Sequence, residues 1–142
     1  MPSKSGIKPF LEATRPKTLA ASIVPVSMGA AAASRVAKID WFLLVVIFVC
    51  ALFIQIISNF INEIYDFKRG ADNSERLGPR RQVATGAISV KSMTVASIAL
   101  IIATFLIGLI LVWHSGVAIL IAGIASLFFA FAYTGGPYPL AY

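Results

Sequence analysis

The chain has 142 residues, enough for one domain; 58% of them are hydrophobic and only 13% charged, where soluble proteins carry roughly a quarter charged. No Asp, Glu, Lys or Arg follows Lys91, and so long an uncharged apolar stretch excludes an ordinary soluble globule and points to a membrane protein. The net charge of +6 does not signal nucleic acid, because the cations flank apolar segments, where topology and anionic lipid account for them.

Spanning a bilayer takes about 20 apolar residues as a helix, and four segments are candidates. The first, residues 18–34, is short and Ala-rich, and Pro25 is expected to kink it. Its basic start and Ala31-Ala32-Ala33 also suit a signal peptide with a small-residue cleavage site. A proline in the apolar middle and a long leader fit that poorly, and small residues serve close helix packing in lipid equally well. The second segment, 41–61, has no charge, and its Cys50 is the chain's one cysteine; it can form no intrachain disulfide and reads as a small hydrophobe. A long loop, 62–91, follows, with Gly70, Gly78-Pro79 and Gly86 as breakers. Segments 92–113 and 116–133 complete the set, and no internal repeat relates the two helix pairs. The expected fold is all-α, a multi-pass transmembrane helical bundle.

Loop charge sets the expected orientation. Lys4, Lys8, Arg15 and Lys17 precede the first helix, and Lys68, Arg69, Arg76, Arg80, Arg81 and Lys91 lie between the second and third, whereas only Arg35 and Lys38 lie on the other side. This imbalance places the N-terminus and the 62–91 loop in the cytoplasm, with Trp41 and Trp113 at the outer interface.

The stretch NEIYDFKRGAD, residues 62–72, concentrates charge at the end of the second segment. Gln55, Asn59, Asn62 and Asp66 are spaced four, three and four apart and share one helix face, so a polar stripe runs into the bilayer and should look inward. For Gln55 an interhelical hydrogen bond is reason enough. Asn62 and Asp66, an amide oxygen and a carboxylate one turn apart, form a hard-oxygen pair suited to Mg²⁺. Asp72 would point about 240° away on a continuing helix, but a break at Gly70 could return it toward Asp66. Arg76, Arg80 and Arg81 on the same loop supply guanidinium groups for phosphate oxygens, which makes a diphosphate site plausible.

This stretch resembles the first Asp-rich motif of the UbiA-type membrane aromatic prenyltransferases, Asn-x-x-x-Asp-x-x-x-Asp. Its longer Asp66-to-Asp72 interval is similar to the 1,4-dihydroxy-2-naphthoate polyprenyltransferase branch, as are ATRPKTL (13–19), ERLGPRRQVATG (75–86) and YTGGPYPLAY (133–142). The resemblance covers nearly the whole chain. It implies that Asn62, Asp66 and Asp72 hold Mg²⁺ and that Asn62, Arg76, Arg80 and Arg81 bind the diphosphate of a polyprenyl donor. Asp66, Asp72 and Lys68 are the implied catalytic residues, Lys68 helping to neutralise the leaving group. The implied reaction joins the prenyl group to dihydroxynaphthoate with loss of carbon dioxide, giving demethylmenaquinone, at a bacterial-type cell membrane. Members of the family have about nine helices and a second Asp-rich motif in a later loop; this chain has four candidate helices and no carboxylate after Asp72 and Glu75. Residues 1–142 are therefore expected to be the N-terminal portion of such a domain and to be inactive alone, completed by the remainder of a longer chain or by a self-pair.

The alternatives are a related prenyltransferase with another aromatic acceptor, a non-catalytic fragment or helper subunit whose charges only set topology, and a transporter using the polar stripe, which crosses only part of the bilayer. Arg15 and Lys17 read as interfacial anchors, with a diphosphate role implied by resemblance alone. His114 is expected at the outer surface, and Tyr133 as an interfacial anchor or part of the acceptor pocket. Glu63 is either a further ligand or a solvated neighbour about 100° round the helix from Asn62.

Overall fold

The computed structural model of the chain describes residues 6–70 and 81–141. Among them are five α-helices and no strand: α1 (Ile7–Ala13), α2 (Ala20–Ala33), α3 (Trp41–Lys68), α4 (Val90–Ser115) and α5 (Val117–Ala132). The short α1 had no counterpart in the apolar pattern. Its anchor is tertiary, since Phe10 packs edge-on against Phe60 of α3, 6.3 Å between ring centroids, and Ala13 is buried. Arg15 then takes a left-handed conformation, φ 52°, the one such residue other than glycine among those described. This costs on the order of 1 kcal/mol, and it turns the chain into a single 3-10 turn, Pro16–Thr18, opened by proline at the position that best tolerates it. In α2 the helix continues through Pro25, whose missing N–H removes a donor from the Ala21 carbonyl.

Helix α3 organises the molecule. Asp40 caps it, accepting the Leu43 amide at 3.1 Å, and Gly70 closes it with φ 68° just past the Arg69 C-cap. Its 28 residues span about 42 Å, well over the roughly 30 Å of a bilayer core. The sequence pattern ends this helix at Ile61; the structure carries it seven residues further, because the polar residues after Ile61 fall on faces that find partners. Helix α4 is capped by Ser89, which accepts the Ser92 amide at 3.0 Å. Both α3 and α4 are long and apolar enough to cross a membrane; α2 and α5 are apolar but shorter.

Packing fixes the directions. Phe60 and Ile64 of α3 meet Met93, Val90 and Ala96 of α4, whereas Cys50 and Ile54 face Phe105 to Val112, so the two helices are antiparallel. Helix α5 runs alongside α3 in the same direction, Tyr65 edge-on to Phe131 at 5.7 Å. The tightest core is therefore at one end: Ala13, Phe60, Ile64, Val83, Ile88 and Met93 form a single buried cluster. Residues 81–89, expected as part of the long 62–91 loop, contribute Val83 and Ile88 to it. The segment turns on itself through Thr85 and Gly86 amides donated to the Arg81 and Val83 carbonyls. Trp41 and Trp113 lie together at the opposite end, 73% and 88% exposed, and His114 is there too, exposed, its Nδ1 2.8 Å from the Ile110 carbonyl. Along the bundle the large apolar side chains, among them Phe42, Ile98, Ile102 and Phe128, face outward, as suits a lipid surround.

Candidate functional site

The last three turns of α3 carry Asn59, Asn62, Glu63 and Asp66. Three of these, Asn59, Glu63 and Asp66, are spaced four and three apart and turn inward, buried to 3%, 2% and 5% exposure. Polar groups this deep are tolerated only with partners, and each has them. Asn59 donates through Nδ2 to the Thr14 carbonyl at 2.8 Å and to Thr18 Oγ1 at 3.1 Å, tying α3 to the turn before α2. Glu63 accepts the Val83 amide at 3.1 Å through Oε2, and its Oε1 lies 3.5 Å from Arg15 Nη2. Asp66 Oδ2 pairs with Arg81 Nη2, both side chains buried.

Asn62, partly buried, looks toward α5, where its Oδ1 accepts the Thr134 hydroxyl at 2.5 Å. Arg69 fastens the same region, donating to the Thr134 and Gly136 carbonyls at 2.5 and 2.7 Å while lying 5.7 Å from the Tyr65 ring centre. The chain after α5 folds back tightly: Gly135 donates to the Phe131 carbonyl at 2.8 Å. A Cβ at Gly135 would come within 2.6 Å of that oxygen, so only glycine fits there.

The structure thus brings three of the expected site residues together, Asn62 and Asp66 one helical turn apart on α3 and Arg81 against Asp66. Lys68 is elsewhere, exposed, with Nζ 5.3 Å from the Tyr65 ring. Asp72, Arg76 and Arg80 lie outside the described residues, as do Gly78 and Pro79. Of the two readings of Glu63, a solvated neighbour is excluded, since it is among the most buried side chains of the fold. Its position four residues after Asn59 and three before Asp66 was the available signal: the angle that takes it away from Asn62 takes it into the core. Arg69 and Thr134 carried no signal of that kind, because their partners lie on a helix and a tail far away in sequence.

The donor set, amide and carboxylate oxygens one turn apart, fits a hard divalent cation in kind. Among the described residues no three His, Cys, Asp or Glu side chains gather as metal ligands, so any such site here is made of Asn62 and Asp66 with donors from beyond them. Arg81 beside Asp66 supplies a guanidinium, a group able to take phosphate oxygens in pairs.

The model of the UbiA prenyltransferase family matches residues 22–142. The 1,4-dihydroxy-2-naphthoate octaprenyltransferase of Bacillus subtilis is 34% identical over 99% of the chain and 46% of its own length. The proteins of the same name from Haemophilus influenzae and Escherichia coli are 31% and 33% identical, over 96% and 94% of the chain. The chain spans about half the length of these relatives. No solved structure is significantly similar to it.

Proposed function

The chain belongs to the UbiA prenyltransferase family, and from that premise we propose that its α3 end is the diphosphate-binding part of a site that transfers a polyprenyl group to 1,4-dihydroxy-2-naphthoate. The observation that carries the reading is the buried Asp66–Arg81 pair, with Asn62 one turn away, at the charged end of an apolar bundle. A prenyl diphosphate is built the same way, with an anionic head on a hydrocarbon tail. An apolar cleft between α3, α4 and α5, lined by Cys50, Ile54, Gly108, Leu120 and Gly123, offers hydrocarbon contact along the same helices.

In this reading Asn62 and Asp66, with Asp72, would hold Mg²⁺, which when bound would supply positive charge to offset that developing on the departing diphosphate. Arg81 would exchange its carboxylate partner for phosphate oxygens, leaving the Asp66 carboxylate as one of the groups that would hold the cation. Neither charge is stranded, because the pair satisfies both beforehand. Arg76 and Arg80 add further cations from the adjoining loop, and Lys68 at the exposed rim meets the head group as it arrives. Apolar walls keep water from the allylic carbon as its bond to diphosphate oxygen breaks and its bond to the ring forms, the ring's carboxylate leaving as carbon dioxide.

Asp66→Ala in the membrane-embedded enzyme should reduce Mg²⁺-dependent prenyl transfer by about 10²-fold or more, the usual loss of a charge-stabilising group, with insertion unchanged. Product formed from polyprenyl diphosphate and dihydroxynaphthoate in isolated membranes is the measurement; wild-type turnover by the variant would overturn the reading.

A further inference from the structure

We infer that Glu63 is a positioning residue that sets the place of the Arg81 guanidinium by holding the backbone two residues beyond it. Glu63 and Asp66 stand three residues apart on α3, an axial step of about 4.5 Å, and they engage Val83 and Arg81, two residues apart on the segment that leads into α4. The two carboxylates thus fix one short stretch in register, one by its main chain and one by its side chain. Gln82, between them, faces away and donates to Glu12 of α1 at 3.0 Å. Below them the Val83 side chain is 4% exposed in the core cluster. Three consecutive residues are therefore tied to three separate supports, an arrangement that defines where Arg81 sits.

Glu63 does not act as a further ligand. One of its oxygens accepts a buried amide and the other faces Arg15, and the side chain is 2% exposed. The Arg15 guanidinium offsets the buried negative charge, and the left-handed backbone at Arg15 sets it in the turn that follows α1. A strained residue is retained where its surroundings over-determine it, and here those surroundings include the carboxylate that needs a counter-charge. Only the ligand-binding part of this inference depends on the diphosphate reading.

The test uses the protein in lipid nanodiscs, with Glu63→Ala and Glu63→Gln compared to wild type. Amide exchange of residues 81–89 is followed by mass spectrometry, and affinity for inorganic pyrophosphate with Mg²⁺ is measured in parallel. Glutamine keeps an oxygen for the Val83 amide and loses only the charge. Glu63→Ala should exchange about 10-fold or more faster across 81–89 and bind Mg-pyrophosphate about 10-fold more weakly, the usual cost of a supporting contact. Exchange in α3 and α4 should stay unchanged, and Glu63→Gln should restore most of both properties. Unchanged exchange in Glu63→Ala overturns the inference, as does a loosened segment with undiminished pyrophosphate affinity. Equal weakening by both variants also overturns it, because glutamine keeps the acceptor for the Val83 amide and should keep the segment in place. Should the alanine variant fail to insert, Glu63→Met, which keeps the volume without the acceptor, is read by the same outcomes. If wild type does not bind Mg-pyrophosphate, the diphosphate reading fails, and exchange at 81–89 alone decides whether Glu63 holds the segment.

Discussion

Gly135 shows how little latitude single positions have near the site. With 2.6 Å between its would-be Cβ and the Phe131 carbonyl oxygen, Gly135→Ala forces the tail off α5. The expected loss is about 1–3 kcal/mol, as for other overpacking substitutions, read as a lowered thermal midpoint in detergent. Thr134 and Gly136 would move with it, so the hydroxyl on Asn62 and the two carbonyls on Arg69 should be lost together. At this scale the sequence was legible where a pattern was periodic: Asn62 and Asp66 sit one turn apart as their spacing required. It was illegible where a partner comes from another element. That Glu63 would be buried against an arginine 48 residues earlier in the chain follows from packing, which helical spacing constrains only to a direction.

Helix limits were readable through their hydrophobic stretches and misread at their polar ends. The apolar run ends at Ile61, yet α3 continues to Lys68, since Glu63 and Asp66 acquire buried partners that no hydropathy window registers. Gly70, by contrast, was legible as a stop, its left-handed geometry being what glycine supplies at little cost. Helix α4 begins at Val90 behind Ser89, a side chain that accepts the Ser92 amide. Ser89→Ala removes that cap and should cost about 1 kcal/mol, seen as faster amide exchange confined to the first turn of α4. The short α1 was beyond reach of the hydrophobic pattern, being too brief to show a period and held by partners from other elements: the Phe60 ring, the core around Ala13 and the Gln82 amide.

For the molecule as a whole, the distribution of apolar surface was legible and the packed cluster at the charged end was not, because Val83 and Ile88 belong to a stretch whose glycines and arginines read as loop. The expected orientation has a direct test. In a Cys50→Ala background, Ala84→Cys should react with a membrane-impermeant thiol reagent only after cells are opened, whereas Ser115→Cys should react in intact cells; the reverse pattern would invert the topology. The length of α3 has a further consequence. From Trp41 to Asp66 the helix rises about 37 Å, more than the roughly 30 Å of hydrocarbon. With the tryptophan in one headgroup layer, this rigid rod acts as a ruler that sets the carboxylate at the depth of the opposite layer's phosphates. A lipid whose own head is a diphosphate already travels at that level. If the proposed function holds, it would find the site by a two-dimensional search within the leaflet, without being lifted toward water or drawn down into oil.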